Sequence, residues 1–141
     1  MNGRRTRLIR EAFGELRDRI SALEGSVLEA ERETQHSEIA RRLLEELRGR
    51  EAVLPAGLVS DPAWEMLLEL YIARAEGRET SVADILKPCR IASASGFRWI
   101  ERLERLDLLV RRRSTSDKRA VSVALTDAGA DKMTALLIRY A

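Results

Sequence analysis

A mainly α chain that carries one short, basic β-hairpin is what this sequence predicts, and three observations predict it. Eight Gly and three Pro are spread over 141 residues and aromatics make up 4%, so helices dominate and Leu, Ile, Val and Ala supply the core. Apolar side chains in the amino-terminal stretch recur in alternating steps of four and three, the spacing of one helix face. Near the other end, Val121, Val123 and Leu125 alternate strictly after Arg111-Arg112-Arg113 and the turn-forming run Ser114-Thr115-Ser116-Asp117. At 141 residues and 45% hydrophobic, the chain holds one globular domain and an extended helical element rather than two full domains.

The first element is a seam of Ile9, Phe13, Leu16, Ile20, Leu23, Val27 and Ala30. With Phe13, Ile20 and Val27 at heptad position a, two of the three are β-branched, and leucines fill the central d sites, which favours a parallel two-stranded coil. Arg19 at g then reaches Glu24 at e of a second helix, whereas Arg5 faces Arg10. Ile9, Phe13, Leu16, Ile20, Leu23 and Val27 are therefore the expected dimerisation residues. The alternative is an amphipathic helix packed on the chain's own domain. The seam is lost near 34–37, and a second helical stretch over 38–48 places Ile39, Leu43, Leu44 and Leu47 on one face. Pro55, Gly57 and Pro62 then mark a linker. The expected division is a helical dimerisation segment over 1–50, a linker over 51–60 and a second domain over 61–141.

Asp61 and Pro62 suit the cap and first position of a helix that buries Trp64, Leu67, Leu68, Tyr71 and Ile72 and ends at Gly77. Ser81-Val82-Ala83-Asp84 has the capping-box form, so a short helix runs to about 87, where Pro88 disfavours continuation. A third helix over 94–106 buries Trp99, Ile100, Leu103 and Leu106 and turns Ser95, Arg98, Arg102 and Arg105 outward. Strands over 108–112 and 119–125 follow, and Thr126 caps a last helix.

Helix, short helix, helix, hairpin is the order of a winged helix-turn-helix, here with a two-stranded wing and a long, coiled-coil-like helical segment before it. In that arrangement the third helix fits the major groove of duplex DNA and the hairpin lies on the backbone or in the neighbouring minor groove. Arginines opposite phosphates release condensed counterions, which gives a basic wing a use. The net charge of +2 is uninformative, but residues 110–120 hold five cations against the single acid Asp117.

Ser93, Ala94 and Ser95 open the third helix, where free N–H groups and short side chains approach phosphates or base edges, although Ser93 equally suits a plain cap. Arg98 has the chemistry for a bidentate pair with guanine, against the alternative of balancing Glu101 or Glu104. Arg102, Arg111, Arg113 and Lys118 are expected on phosphates.

The stretches "IASASGFRWIERLERLDLLVRR" and "SDKRAVSVALTDAG" resemble the MarR-type winged-helix transcriptional regulators, over about 61–140. The most specific part is Asp117-x-Arg119-Ala120-Val121 leading into Leu125-Thr126-Asp127-Ala128-Gly129. The resemblance implies that Asp117 shapes the wing tip and that Arg119 enters the minor groove. It also implies dimerisation through both terminal helices. Because the chain ends at Ala141, the amino-terminal seam is expected to carry more of it. Three positions depart from the pattern: Arg90 where the turn often has Gly, Leu86 where a helix crossing usually has a small residue, and Phe97 where a small hydroxyl residue is common.

Other chemistries find little support. His36 is the only histidine and is expected exposed at a helix end. Cys89 is the only cysteine, so no disulfide forms within the chain, and it reads as a small core side chain rather than a redox sensor. No metal-ligand spacing and no phosphate-binding glycine loop is present, so neither an enzyme nor a cofactor is expected. No apolar run spans a bilayer and no signal peptide is evident, which suits a cytoplasmic chain with no membrane partner. No compact motif indicates a small-molecule effector. The expected function is thus a homodimeric, sequence-specific duplex-DNA-binding regulator. A protein-interaction winged helix and a non-specific architectural DNA binder remain the alternatives.

Overall fold

Short polar caps start three helices of this chain, and left-handed turns close helix ends. The computed structural model describes residues 2–55, 57–117 and 119–141. Helix α1 spans Asn2–Val53 without interruption, so the expected break at 34–37 does not occur. Thr34 stays helical because its hydroxyl donates back to the Ala30 carbonyl, 2.9 Å away. His36 consequently lies inside a helix and is half-buried, not at an exposed helix end. The chain forms two compact units, Met1–Thr34 and Gln35–Ala141. This differs from the expected boundary at 51–60. Ile39, Ala40 and Leu44 enter the same apolar cluster as the later elements, so the last turns of α1 belong to the second unit. In the first unit, Ile9, Phe13, Leu16, Ile20, Leu23 and Val27 are all exposed.

Helix α2, Pro62–Ala75, is the centre of the second unit. Asp61 accepts the Trp64 N–H at 3.2 Å as its cap. Met66, Leu68, Leu70, Tyr71 and Ile72 are buried nearly all round the helix, as expected of an element covered on several sides. Its end is a Schellman turn: Gly77 adopts φ +64 and the Arg78 N–H reaches back to the Ala73 carbonyl at 2.8 Å. Strand β1, Thr80–Ser81, follows, and Ser81 caps helix α3, Val82–Leu86, by accepting the Asp84 N–H at 3.0 Å. A single 3-10 turn, Lys87–Cys89, leads to helix α4, Ser93–Arg105.

Strands β2, Leu109–Arg113, and β3, Val121–Leu125, pair antiparallel with Leu109 opposite Leu125 and Arg113 opposite Val121. The short strand β1 adds to the far edge of β3, giving the order β1-β3-β2. This third strand was not expected, because two residues are too few to show a period. Leu109, Val123 and Leu125 point into the core, whereas Val121 is exposed where the hairpin leaves it. Leu106 is also exposed rather than buried, because α4 ends at Arg105. Helix α5, Asp127–Leu137, is capped by Thr126, and a 3-10 turn, Ile138–Tyr140, ends the fold. Among the described residues, no helix is long and apolar enough to cross a membrane.

Two constraints join α4, the hairpin and α5. Asp107 takes φ +58 at the end of α4, and the Leu108 N–H closes a Schellman turn on the Leu103 carbonyl at 3.0 Å. The Leu108 carbonyl then accepts the Thr126 N–H at 3.1 Å and presses on Gly129, where any Cβ would collide with it. Gly129→Ala should therefore destabilise the fold by about 1–3 kcal/mol, the usual range for overpacking. Gly49→Ala, which adds a methyl to open space on a helix, should stabilise by up to about 1 kcal/mol. Chemical denaturation of the two variants checks both signs, and equal behaviour would contradict the close approach at Leu108.

Candidate nucleic-acid interface

The amino terminus of α4 lacks a capping side chain. Ala92 occupies the cap position, so Ser93 is the first helical residue and does not act as the cap. Ser93, Ala94 and Ser95 are all exposed, and no acidic residue occupies the first turn. Their backbone N–H groups have no carbonyl one turn earlier to bond, which leaves donors facing outward.

Two of the three departures from the family pattern have physical accounts in the fold. Arg90 holds the left-handed turn at φ +50, a conformation costing a non-glycine residue about 1–2 kcal/mol. Its guanidinium donates to the Glu51 carbonyl at 3.3 Å in the last turn of α1, an offsetting contact at a helix carboxyl end. Leu86 is accommodated by Gly96: a Cβ there would stand 2.5 Å from Leu86 Cδ2, so the small residue has moved to the other helix of the crossing. Phe97 is 45% exposed.

Arg98 makes no hydrogen bond or ion pair among the described residues. It lines a shallow open depression of about 220 Å³ with Ser95, Trp99 and Arg102. The Arg102 guanidinium lies over the Trp99 ring, 5.6 Å from its centroid, a cation–π contact that orients the side chain without neutralising it.

Arg111 has a different place from the other wing arginines. Its Nη2 meets Glu104 Oε1 at 2.9 Å, its Nε meets Oε2 at 3.2 Å, and its backbone N–H donates to Oε2 at 3.1 Å. The fork ties β2 to α4, and hydrogen bonding from Arg111 holds the Glu104 carboxyl below its ordinary range. Arg113 and Arg119 are exposed and have no side-chain partner among the described residues. Lys118 lies outside the described residues.

The tip itself is built from neutral donors. Asp117 Oδ1 accepts the Arg119 N–H at 3.0 Å, and the Asp117 carbonyl accepts the Ala120 N–H at 3.0 Å, closing the turn. The buried Ser114 hydroxyl accepts the Asp117 N–H at 3.1 Å. Glu79, just before β1, accepts the Thr115 N–H and hydroxyl, both at 3.1 Å, and the Ser116 hydroxyl at 3.2 Å. Sequence reasoning missed Glu79 and Gly96, and it set Glu104 against Arg98 where the fold pairs it with Arg111. Glu79 is separated from its partners by a whole helix-turn-helix, so no local pattern marks it.

Cys89 is buried, and its thiol donates to the Ile85 carbonyl at 3.3 Å. Burial, reinforced by the Glu65 and Glu51 carboxylates, pushes its pKa up to about 12. A thiol so firmly protonated is a core side chain rather than a nucleophile.

Against known proteins, residues 63–129 match the family described as "Winged helix DNA-binding domain". Among solved structures, the S. aureus MepR–DNA complex is similar at 17% identity with a TM-score of 0.50, over 71% of this chain and 75% of that one. The chain shares the winged-helix fold of that structure. The transcription regulator MarR from Oenococcus oeni is 26% identical with a TM-score of 0.44, over 54% of this chain and 56% of that one. L. lactis ZitR is 18% identical with a TM-score of 0.45, over 56% and 55%. This chain thus covers just over half the length of those two. A search of curated protein sequences gives no match.

Within this winged helix, hydrogen bonds from Thr115 and the wing-tip serines hold the Glu79 carboxyl below the usual Glu range. Because the folded value is depressed, the tether is present above the ordinary carboxylate range and is lost as pH falls through the depressed value. In an NMR titration the Thr115 amide shift should move with a midpoint below that of a free glutamate, and Glu79→Ala should abolish the movement. A Thr115 amide indifferent to pH in the parent protein would remove Glu79 from the wing.

Proposed function

We propose that this chain is a transcriptional regulator that binds duplex DNA sequence-specifically as a homodimer, with α4 in the major groove and the β2–β3 wing on the backbone or in the minor groove. One observation carries this reading: the outward face of α4 offers exposed hydroxyls and Arg98 beside Arg102, neither arginine in an ion pair among the described residues, while Glu104 on the same helix is held by Arg111. MepR, whose fold this chain shares, has been crystallised with DNA, which supports the same use.

In this reading Arg98 pairs with a guanine edge, and Ser93, Ala94 and Ser95 meet phosphates or base edges at the open helix end. Arg102, Arg113 and Lys118 contact phosphates, Arg119 enters the minor groove, and Asp117 shapes the tip that presents it. Arg111 serves as the strut between α4 and the wing instead of a phosphate ligand. Two copies associate through Ile9, Phe13, Leu16, Ile20, Leu23 and Val27, whose exposure in a single chain leaves a heptad seam to cover.

The test is fluorescence anisotropy with the region upstream of the chain's own gene against scrambled duplex, across a salt titration. Tight binding to one duplex that persists at physiological salt is expected. Weak binding to both that vanishes with salt would overturn sequence-specific regulation. Arg98→Ala should weaken specific binding by about 1–3 kcal/mol and relax the preference at one position, whereas Arg113→Ala should weaken all duplexes alike and lower the salt slope by about 1. Lys at Ile20 and Leu23 should give a folded monomer in sedimentation velocity, and a surviving dimer would exclude the seam as the interface.

A further inference from the structure

Resting on the DNA-binding reading above, the exposed start of α4 also limits which bases it can read. Its residues from 93 to 98 are Ser, Ala, Ser, Gly, Phe and Arg. Bidentate reading of adenine needs the donor and acceptor of Asn or Gln, and cytosine N4 needs a carboxylate acceptor. Neither residue type occurs in this stretch, and the first carboxylate on the helix is Glu101. Arg98 supplies the donors for guanine, and the two serines accept or donate to any base.

Phe97 is the unexplained member. It stands outside the apolar core cluster, whereas Trp99, two residues on, packs against that cluster, and Gly96 beside it is closed off by Leu86. A large apolar ring is thus left 45% exposed next to the unpaired Arg98. Ala94, also exposed, lies one turn earlier at the i−3 position, so the two apolar side chains are neighbours on the helix surface. The one apolar group that B-DNA offers in its major groove is the thymine 5-methyl, and alanine and phenylalanine are side chains that contact it. The adjacent Arg98, in no ion pair among the described residues, gives this patch a charge that complements DNA rather than an apolar protein surface.

We propose that Phe97, with Ala94, reads thymine methyl groups beside the guanine contacted by Arg98, which makes Phe97 a specificity-determining residue. Burying one methyl corresponds to about a fourfold change in Kd. To test this, a random duplex library is enriched on the full chain, and the enriched sequence is remade with deoxyuridine in place of one thymine at a time. This removes only the methyl and keeps the pairing edge. We expect a loss of about fourfold at one or two thymines close to a guanine. The Phe97→Ala protein should then bind thymine and uracil duplexes equally, at the parent's affinity for the uracil form. Parent protein indifferent to every thymine-to-uracil change would overturn the proposal, independently of whether the variant folds. A Phe97→Ala variant that keeps the full uracil penalty would overturn it too. Enrichment without methyl sensitivity leaves DNA binding standing and removes only Phe97 from recognition, whereas a library that gives no enriched sequence removes both.

Discussion

The placement of the wing beside α4 depends on the backbone of Leu108, which is bonded in two directions at once. Its N–H closes the end of α4 on the Leu103 carbonyl, and its own carbonyl takes the Thr126 N–H that starts α5. Helix, hairpin and following helix therefore share the backbone of one residue, and Gly129 lets α5 come close enough for this to happen. The tight approach requires Asp107 to sit at φ +58, which costs roughly 1–2 kcal/mol for a residue with a Cβ. A looser joint would avoid that cost but leave the angle between α4 and β2 undetermined. The Glu104–Arg111 fork acts across the same joint from the outside.

The second unit spends most of its carboxylates on holding itself together. Arg41 pairs with Glu76, Glu76 with Arg78, Arg78 with Glu69, Glu69 with Arg48, and Arg48 with Glu65, a continuous ladder from the last turns of α1 to α2 and the loop after it. Exposed pairs contribute little singly, but a network restricts each side chain for its neighbour. The inner end differs from the rest, because Glu65 is 2% exposed and burial pushes its carboxyl above the ordinary range. Such a group favours the fold most when protonated, and that contribution falls away as pH rises through the raised value, where Arg48 offsets the cost of the buried anion. Since the acids are engaged in this way, a net charge of +2 is compatible with a strongly basic wing.

How legible this was depended on the distance between cause and effect along the chain. Caps at Asp61, Ser81 and Thr126 act within three residues, and all three were readable in the sequence and are present in the fold. The hairpin was legible because the period of Val121, Val123 and Leu125 is local, while β1 was not, because Thr80–Ser81 has no period and is a strand only by pairing with β3. Residues 34–37 looked like a break because the apolar seam is lost there, yet the Thr34 hydroxyl returns its proton to the preceding turn and the helix stays intact. Leu86 looked like a misfit only while it was judged alone, since its compensation at Gly96 lies on the next helix. In the candidate site, the cations were visible from the sequence, but which one would be used internally was not. Arg111 and Arg113 differ by two residues and by whether Glu104 is within reach.

That distinction explains how the wing can be both ordered and basic. A hairpin tip carrying several arginines would ordinarily be fixed by pairing them with acids, which would also cancel the charge that makes it useful. Here Glu79 grips the tip through the amide and hydroxyl of Thr115 and the hydroxyl of Ser116, and Asp117 accepts a backbone N–H rather than a guanidinium. Both carboxylates stabilise the turn by accepting hydrogen bonds from neutral groups, so the neighbouring Arg113 and Arg119 are left exposed and unneutralised among the described residues. In the proposed DNA complex, a tip backbone fixed beforehand would lower the ordering entropy of binding, and unpaired arginine side chains would preserve counterion release. The acids in the wing therefore act on its shape, and the exposed arginines leave its charge uncancelled.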